Sequence, residues 1–261
     1  MNQLSTLPLP DGAAKKADFK PKLLQSEHHH LCPGCGHPPA VRAILEAIDD
    51  LNLAGNVIAL FGHGCSGSFM ATADIDLTIA LHGRAPATAT GVKRMRPDTV
   101  VFTMQGDGDM VSEGLAEILH TAARGEKITC FLLNNGVFGD TGGQMTATTV
   151  LGQRTKTSLE GRDADYHGHP IPIAEILKMM PGVSYVARAS TGSPGGVALA
   201  RKIVRTAFEH QIERRGFSFV EILTMCPTGW FRSAKDGPAY MQETLGQELG
   251  LGILKDDRMS A

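Results

Sequence analysis

The sequence predicts an α/β protein with a mostly parallel sheet and helices on both faces. Short apolar runs rich in β-branched residues alternate with longer amphipathic segments along most of the chain. The clearest unit lies between Thr99 and Gln144, where an apolar strand, an acidic turn, a helix and a second apolar strand follow one another. Buried strands that alternate with helices form parallel βαβ units. Their carboxyl ends share one sheet edge, which is where open α/β sheets bind ligands.

The other elements continue this alternation. Outside that unit we predict helices at residues 39–51, 85–95, 171–180 and 194–215. We predict strands at residues 56–61, 184–188 and 217–223. The polar stretch from 145 to 170 is long for a structureless connection, which favours a functional or interface loop. His37 is expected to be a polar residue at a helix N-terminus, and Trp230 a packing anchor.

Composition limits the domain count and excludes two classes of partner. With 261 residues, 42% of them hydrophobic, and a net charge of −2, the chain can bury one substantial core. The near-neutral charge gives no electrostatic case for nucleic acid, and no run of about 18 apolar residues could span a bilayer. The N-terminus lacks the apolar centre of a signal peptide, so we expect a cytoplasmic protein with reduced cysteines.

Two regions are expected along the chain. Residues 1–26 are polar and contain three prolines, which predicts an extended arm that either lies across a partner or is disordered. Residues 27–261 are expected to form a single domain with a C-terminal tail.

Polar motifs end both strands of the central βαβ unit. The motif GDGD occupies residues 106–109, and an Asn-Asn pair occupies residues 134–135. Asp107 supplies a carboxylate and Asn135 an amide oxygen, and Mg²⁺ prefers oxygen ligands that it often shares with phosphates. The glycines let backbone N–H groups approach an anion, and a helix opening at Met110 would direct its positive end towards it. An ordinary turn is the alternative, but the two motifs together favour a magnesium-diphosphate site.

Four of the five cysteines lie at turns or strand ends. Cys32 and Cys35 form a C-x₂-C motif, Cys65 lies at the apex of a glycine-rich turn, and Cys226 directly follows a strand. Cys130 lies inside an apolar run and is expected to be a small core hydrophobe. Four thiolates can hold either zinc or a 4Fe–4S cluster, and C-x₂-C also allows a redox disulfide. The spacing does not choose among these three.

Taken together, the motifs resemble those of the β subunit of 2-oxoacid:ferredoxin oxidoreductases. GDG followed by Asn-Asn is similar to the thiamine-diphosphate motif, and the segments CPGCGH, GCSGSF, HGR and GVFGDTGGQM extend the resemblance over residues 32 to about 256. The resemblance implies a pyrophosphate-domain fold that binds thiamine diphosphate, Mg²⁺ and one 4Fe–4S cluster.

The resemblance also implies a role for each motif. The Mg²⁺ ligands would be Asp107, Asn135 and the backbone carbonyl of Val137. The thiamine cofactor would lie against His63, Gly64, Cys65, Ser66, Gly108, Asp109, Gly139 and Asp140. The cluster ligands would be Cys32, Cys35, Cys65 and Cys226. His82, in the HGR segment, would contact cofactor or substrate and is the candidate catalytic residue.

Two departures from the family pattern lie close to the cofactor loop. GDTGGQ stands where GMTGGQ is usual, so the contact at Asp140 is expected through its backbone. TATT, at residues 146–149, replaces the more familiar APTT or SPTT. Both changes are expected to affect the shape of the substrate pocket.

The implied activity is the coenzyme A-dependent oxidative decarboxylation of a 2-oxoacid to acyl-CoA and CO₂, with electrons passing to ferredoxin. The stretches GQRTKT, HGHPI and CPTGW look closer to branched-chain 2-oxoacid and 2-oxoglutarate versions than to pyruvate ones. The family places the carboxylate that activates the aminopyrimidine on another subunit. We therefore expect this chain to form a hetero-oligomer with a catalytic alpha subunit and with gamma and delta subunits or their fused equivalents.

Alternative functions remain open at this point. A non-redox thiamine-dependent decarboxylase or synthase subunit would keep both polar motifs but gives no reason for four cysteines at turns. A non-catalytic zinc-binding structural protein would explain the cysteines alone. A nicotinamide-binding domain is disfavoured because GDGD lacks the G-x-G-x-x-G spacing.

Overall fold

A seven-stranded sheet forms the centre of the fold. The computed structural model describes residues 20–26 and 29–259. The strands in chain order are β1 (Val57–Phe61), β2 (Asp76–Ile79), β3 (Val100–Gly106), β4 (Thr129–Asn134), β5 (Val137–Phe138), β6 (Gln144–Met145), β7 (Val183–Ser190), β8 (Phe217–Leu223) and β9 (Gly252–Asp256). The sheet order is β2-β1-β3-β4-β8-β7-β9, and β5 and β6 form a separate antiparallel hairpin. Every neighbouring pair in the sheet is parallel except β7 and β9.

Helices cover both faces of this sheet. In chain order they are α1 (His37–Asp50), α2 (Ala85–Met95), α3 (Leu115–Ala123), α4 (Ala164–His167), α5 (Ile173–Lys178), α6 (Pro194–Ile212), α7 (Gly237–Glu243) and α8 (Leu245–Glu248). Helices α1 and α6 pack on one face, where the rings of Phe102, Phe131 and Phe208 meet edge to face at 5.4 to 5.7 Å. Helices α2, α3 and α5 cover the other face. The predicted mostly parallel sheet with helices on both faces is confirmed.

The central strands are buried on both faces. Every residue of β4 and of β8 is buried, which is typical of parallel strands covered by helices. In the covered part of the chain, residues 20–26 and 29–259, no helix combines the length and apolar character needed to cross a membrane.

Two edge strands differ from the sequence prediction, which contained neither. Strand β2 pairs with β1 at one edge, and β9 pairs with β7 at the other. Exposed and half-buried positions alternate in β2, and β9 is mostly half-exposed. Neither strand therefore carries the continuous apolar run that marks the central strands.

The helix after the acidic turn also differs from the prediction. Residues Gly108–Glu113 form a π-helical turn, and α3 begins only at Leu115. Gly114 separates the two because it crosses the backbone of Gly83, which has φ of +74°; a Cβ on Gly114 would lie 2.5 Å from the Gly83 carbonyl oxygen. The helix that the sequence predicts from Met110 is therefore divided into these two elements, and anion binding at its start stays a prediction.

The predicted N-terminal arm is described only in its last part. Leu23 is buried in the core beside α1 and α6, Leu24 forms an isolated bridge with Ala73, and the Gln25 N–H donates to the Thr72 carbonyl at 2.8 Å. These contacts attach residues 20–26 to the sheet domain. Residues 1–19 of the arm lie outside the described residues.

Candidate functional site

The polar motifs meet at the carboxyl ends of four adjacent parallel strands. Strands β1, β3, β4 and β8 lie side by side, and they are followed by the turns that carry Cys65, Asp107, Asn135 and Cys226 respectively. A cavity opens between these turns. Its wall includes His82 and all the residues that the sequence assigns to Mg²⁺ and to the thiamine cofactor.

Asp107 lies at the bottom of the site, with only 1% of its surface exposed. Its Oδ2 accepts hydrogen bonds from the hydroxyls of Thr146 at 2.6 Å and Thr148 at 2.8 Å. Its Oδ1 accepts the Asn135 N–H at 3.4 Å. Burial raises the pKa of Asp107 to about 6 in spite of these hydrogen bonds. A divalent cation beside this carboxylate would favour its ionised form.

Side chains from later segments of the chain hold the loop after β4 in place. Asn135 Oδ1 accepts the Val137 N–H at 3.1 Å, which closes the turn. The Asn135 carbonyl accepts the Trp230 indole N–H at 2.8 Å and the Gln153 side-chain amide at 3.3 Å. Trp230 is 2% exposed and packs in a small apolar cluster, as expected of an anchor. It also fixes the loop that carries the candidate metal ligands, a role that its sequence context does not signal.

Asp109 lines the cavity, but protein donors occupy both oxygens of its carboxylate. Oδ1 accepts the Gly83 N–H at 2.9 Å and lies 3.0 Å from His82 Nδ1. Oδ2 accepts the Gln105 side-chain amide at 2.6 Å. The carboxylate thus ties the HGR turn to the GDGD turn. Its position leaves the backbone around Asp109 as the part that could contact a diphosphate.

His82 is placed by neighbours on two sides. Asp109 engages its Nδ1, and Glu113 Oε2 lies 3.3 Å from the same nitrogen. Its ring packs on that of His63, with 4.7 Å between centroids. Both rings line the cavity, so two imidazoles lie together at its wall.

The four cysteines at turns come together beside the cavity. Burial raises the pKa of Cys35 to about 11 and those of Cys65 and Cys226 to about 12, and the negative charge of the neighbouring thiolates, including Cys32, adds to each shift. A Cβ on Gly139 would lie 3.2 Å from Cys226 Sγ and 3.7 Å from Cys65 Sγ, so these two sulfur atoms lie beside the same residue of the cavity wall. All five cysteines are free thiols, and Cys130 is fully buried in the core, as predicted.

Close backbone packing brings the C-x₂-C motif to the Cys226 segment. The Gly36 N–H donates to the Met225 carbonyl at 2.8 Å. A Cβ on Gly36 would lie 2.3 Å from the Met225 nitrogen, so only glycine permits this approach. Thus β8 delivers Cys226 directly to the loop that holds Cys32 and Cys35.

The cavity wall is suited to a polar ligand. His37 Nδ1 and Ser66 Oγ are buried without a hydrogen-bond partner, and both residues line the cavity. Buried polar groups nearly always have partners, so these two atoms lack what a bound cofactor could provide. Carboxylate, amide and carbonyl oxygens match the preference of Mg²⁺, and the thiols match that of a metal cluster. The residues present therefore fit the groups that the sequence implies.

Comparison with known proteins defines the class. The family model of the C-terminal thiamine pyrophosphate (TPP) binding domain of thiamine pyrophosphate enzymes matches residues 64–222. A solved structure of 2-oxoglutarate:ferredoxin oxidoreductase from Magnetococcus marinus, with 2-oxoglutarate, coenzyme A and succinyl-CoA bound, superposes with a TM-score of 0.76. It is 29% identical in sequence, and the match covers 92% of this chain and 85% of that one.

Curated relatives identify the family within the thiamine pyrophosphate enzymes. Ketoisovalerate oxidoreductase subunit VorA of Methanothermobacter thermautotrophicus is 37% identical over 227 residues, which is 87% of this chain and 48% of the relative. 2-Oxoglutarate synthase subunit KorB of Methanocaldococcus jannaschii is 34% identical over 207 residues, which is 78% of this chain and 72% of the relative. The chain spans about half the length of the VorA relatives. It belongs to the family of thiamine pyrophosphate-binding subunits of 2-oxoacid:ferredoxin oxidoreductases.

Proposed function

We propose that this chain is the thiamine-diphosphate-binding subunit of an enzyme that oxidatively decarboxylates a 2-oxoacid to acyl-CoA and CO₂, with ferredoxin as the electron acceptor. The observation that carries the proposal is that oxygen donors typical of Mg²⁺ line one cavity of a thiamine pyrophosphate-binding fold together with Cys65, which belongs to the group of four cysteines at turns. The names of the relatives support a branched-chain 2-oxoacid or 2-oxoglutarate as substrate.

In this proposal Asp107, Asn135 and the Val137 carbonyl would hold Mg²⁺. When bound, thiamine diphosphate would supply the electron sink for decarboxylation and the cluster a path for single electrons. The chain contributes orientation: Thr146 and Thr148 fix the Asp107 carboxylate through their hydroxyls.

His82 is the candidate for contact with the substrate. Asp109 engages one ring nitrogen at 3.0 Å and so fixes the plane of the imidazole. The ring lines the cavity and is partly open to solvent, so an entering 2-oxoacid would meet it before reaching the buried magnesium ligands.

Four thiols on one side of the cavity favour a 4Fe–4S cluster held by Cys32, Cys35, Cys65 and Cys226. In the described part of the chain, the groups of three or more candidate ligand atoms within 4.8 Å of one another do not include these thiols. Tetrahedral zinc, with bonds of about 2.3 Å, needs sulfur atoms about 3.8 Å apart. Transfer of electrons to ferredoxin, which the names of the relatives imply, is what favours the larger cluster over zinc.

Other subunits complete the proposed enzyme. A catalytic alpha subunit would supply the carboxylate that activates the aminopyrimidine. A reducing, cytoplasmic setting belongs to the proposal because the cluster ligands must remain thiols.

The test is a panel of 2-oxoacids offered to the intact complex, with a viologen dye as acceptor. We expect coenzyme A-dependent dye reduction with 2-oxoisovalerate or 2-oxoglutarate, and a brown chain that contains iron. The chain purified without its partner should bind iron but turn over no 2-oxoacid, and robust activity of that isolated chain would contradict the proposal. Thiamine binding without iron would instead indicate a non-redox enzyme, and zinc without thiamine a structural protein.

A further inference from the structure

A buried series of hydrogen bonds runs from Arg188 in β7 to the loop after β4. Arg188 Nε donates to Glu221 Oε2 at 2.7 Å, and each of these side chains is only 2% exposed. Glu221 Oε1 accepts from Asn134 Nδ2 at 2.6 Å. Asn134 Oδ1 in turn accepts the Gly136 N–H at 3.0 Å. The series thus crosses three neighbouring strands and ends in the turn that presents Asn135.

The charge at the start of this series sets the direction of each bond. An ionised Glu221 beside a guanidinium can only accept hydrogen bonds. Asn134 must therefore turn its NH₂ group towards Glu221, which leaves Oδ1 facing the loop. The Gly136 N–H finds its acceptor there, and a reversed amide would place two donors against each other.

The Asn134 amide also lies beside Thr148, which holds Asp107, the other proposed magnesium ligand. Thr148 Oγ1 is 3.2 Å from Asn134 Oδ1 and 2.8 Å from Asp107 Oδ2. A hydroxyl has one hydrogen to donate, so these two oxygens compete for it. The orientation of the Asn134 amide therefore affects the hydrogen bonds of Asp107 as well as those of the turn that carries Asn135.

The ion pair itself is rigid. Glu175 accepts from Arg188 Nη2 with both oxygens, at 2.9 and 3.0 Å, and the Gly250 carbonyl accepts from Nη1 at 3.1 Å. Burying an ion pair contributes little net stability, because desolvation offsets the attraction. This pair, however, lies where it can impose a single orientation on a neighbouring amide.

We propose that Arg188 and Glu221 are positioning residues for the magnesium site, and that they act by fixing the orientation of the Asn134 side chain. The proposal rests on the proposed function only in that Asp107 and Asn135 are taken as magnesium ligands. Groups that orient metal ligands typically change metal affinity by about 10-fold to 100-fold when they are removed.

The test uses Glu221→Gln in the intact complex. The new amide can still accept from Arg188, but its NH₂ then faces the NH₂ of Asn134, so the Asn134 amide reverses and opposes the Gly136 N–H. We expect Mg²⁺ affinity, measured by calorimetric titration in the presence of thiamine diphosphate, to fall by about 10-fold or more. The matched control is Glu175→Gln, which removes a carboxylate from the same arginine without touching Asn134 and should change affinity less than about twofold.

A double variant separates orientation from folding. In Glu221→Gln with Asn134→Asp, the new amide donates to the new carboxylate, whose other oxygen accepts the Gly136 N–H. Both hydrogen bonds are restored and the net charge is unchanged, so the double variant should fold and bind Mg²⁺ with close to the parent's affinity, whether or not the single variant folds. Asn134→Asp alone, which sets two carboxylates against each other, shows how much of the gain comes from added charge near the metal.

Several outcomes would overturn the proposal. These are unchanged Mg²⁺ affinity in Glu221→Gln, equal losses in Glu221→Gln and Glu175→Gln, or a double variant as weak as the single one. Failure of the unsubstituted complex to bind Mg²⁺ with thiamine diphosphate is a different result, and it would count against the proposed function.

Discussion

Trp230→Phe should weaken both the fold and the metal site. The substitution removes the indole N–H that donates to the Asn135 carbonyl at 2.8 Å, and that carbonyl keeps only the longer contact with Gln153 at 3.3 Å. A poorly satisfied buried acceptor costs about 1–3 kcal/mol, and the space left by the smaller ring adds about 1 kcal/mol. We therefore expect the free energy of unfolding to fall by about 2–4 kcal/mol.

Urea denaturation of the purified protein, with and without Mg²⁺ and thiamine diphosphate, measures this loss. The control is Tyr240→Phe, because the Tyr240 ring packs on the same indole at 5.0 Å and the change leaves the indole donor intact. It should lie within about 0.5 kcal/mol of the parent. Mg²⁺ affinity should fall about 10-fold in Trp230→Phe alone. If the two variants matched in stability and in metal affinity, the role assigned to the indole N–H would be refuted.

Two further predictions concern the cysteine cluster. Cys65→Ser should remove most of the bound iron and the visible absorbance, whereas Cys130→Ala, in the core, should keep both; full iron occupancy in Cys65→Ser would contradict the ligand assignment. Gly36→Ala should lower the iron content, because its Cβ would lie 2.3 Å from the Met225 nitrogen and separate the C-x₂-C loop from the Cys226 segment. The control is Gly91→Ala in α2, where a Cβ meets no atom within 4 Å, and it should be neutral or stabilising by up to about 1 kcal/mol. An iron content as high in Gly36→Ala as in Gly91→Ala would disprove the packing argument.

The central strands were predictable because their environment is simple. Burial on both faces gives β4 and β8 mostly apolar sequences, which stand out without any knowledge of pairing. Strand β9 has no such signal, since it mixes exposed and buried residues and pairs with β7 far earlier in the chain. The break at Gly114 was equally hidden, because it depends on the approach of Gly83 rather than on the local pattern.

The candidate metal ligands and the residues that hold them also differ in how far the sequence predicts them. Asp107 and Asn135 follow strand ends, so their meeting could be inferred from the topology of parallel strands alone. The hydroxyls of Thr146 and Thr148 reach Asp107 only because an irregular loop turns back over the sheet edge. Glu221 did leave a signal, since a carboxylate inside an otherwise apolar strand is rarely buried without a partner.

The family match and the cysteines cover different parts of the chain. The thiamine pyrophosphate domain match spans residues 64–222, and only one of the four clustered cysteines, Cys65, falls inside it. Cys32 and Cys35 precede it and Cys226 follows it. The thiols of the proposed cluster are thus assembled mainly by segments that flank the cofactor-binding fold.

The side chains that hold the loop after β4 are added to the chain late during synthesis. Glu221 lies 87 residues after Asn134, and Trp230 lies 95 residues after Asn135. Contacts over such sequence distances form slowly and only after the intervening elements exist. A nascent chain that ended at residue 222 would already contain Asp107 and Asn135 but not the indole that fixes their loop. Under the proposed function, the loop would gain its indole anchor only after residue 230 has been added.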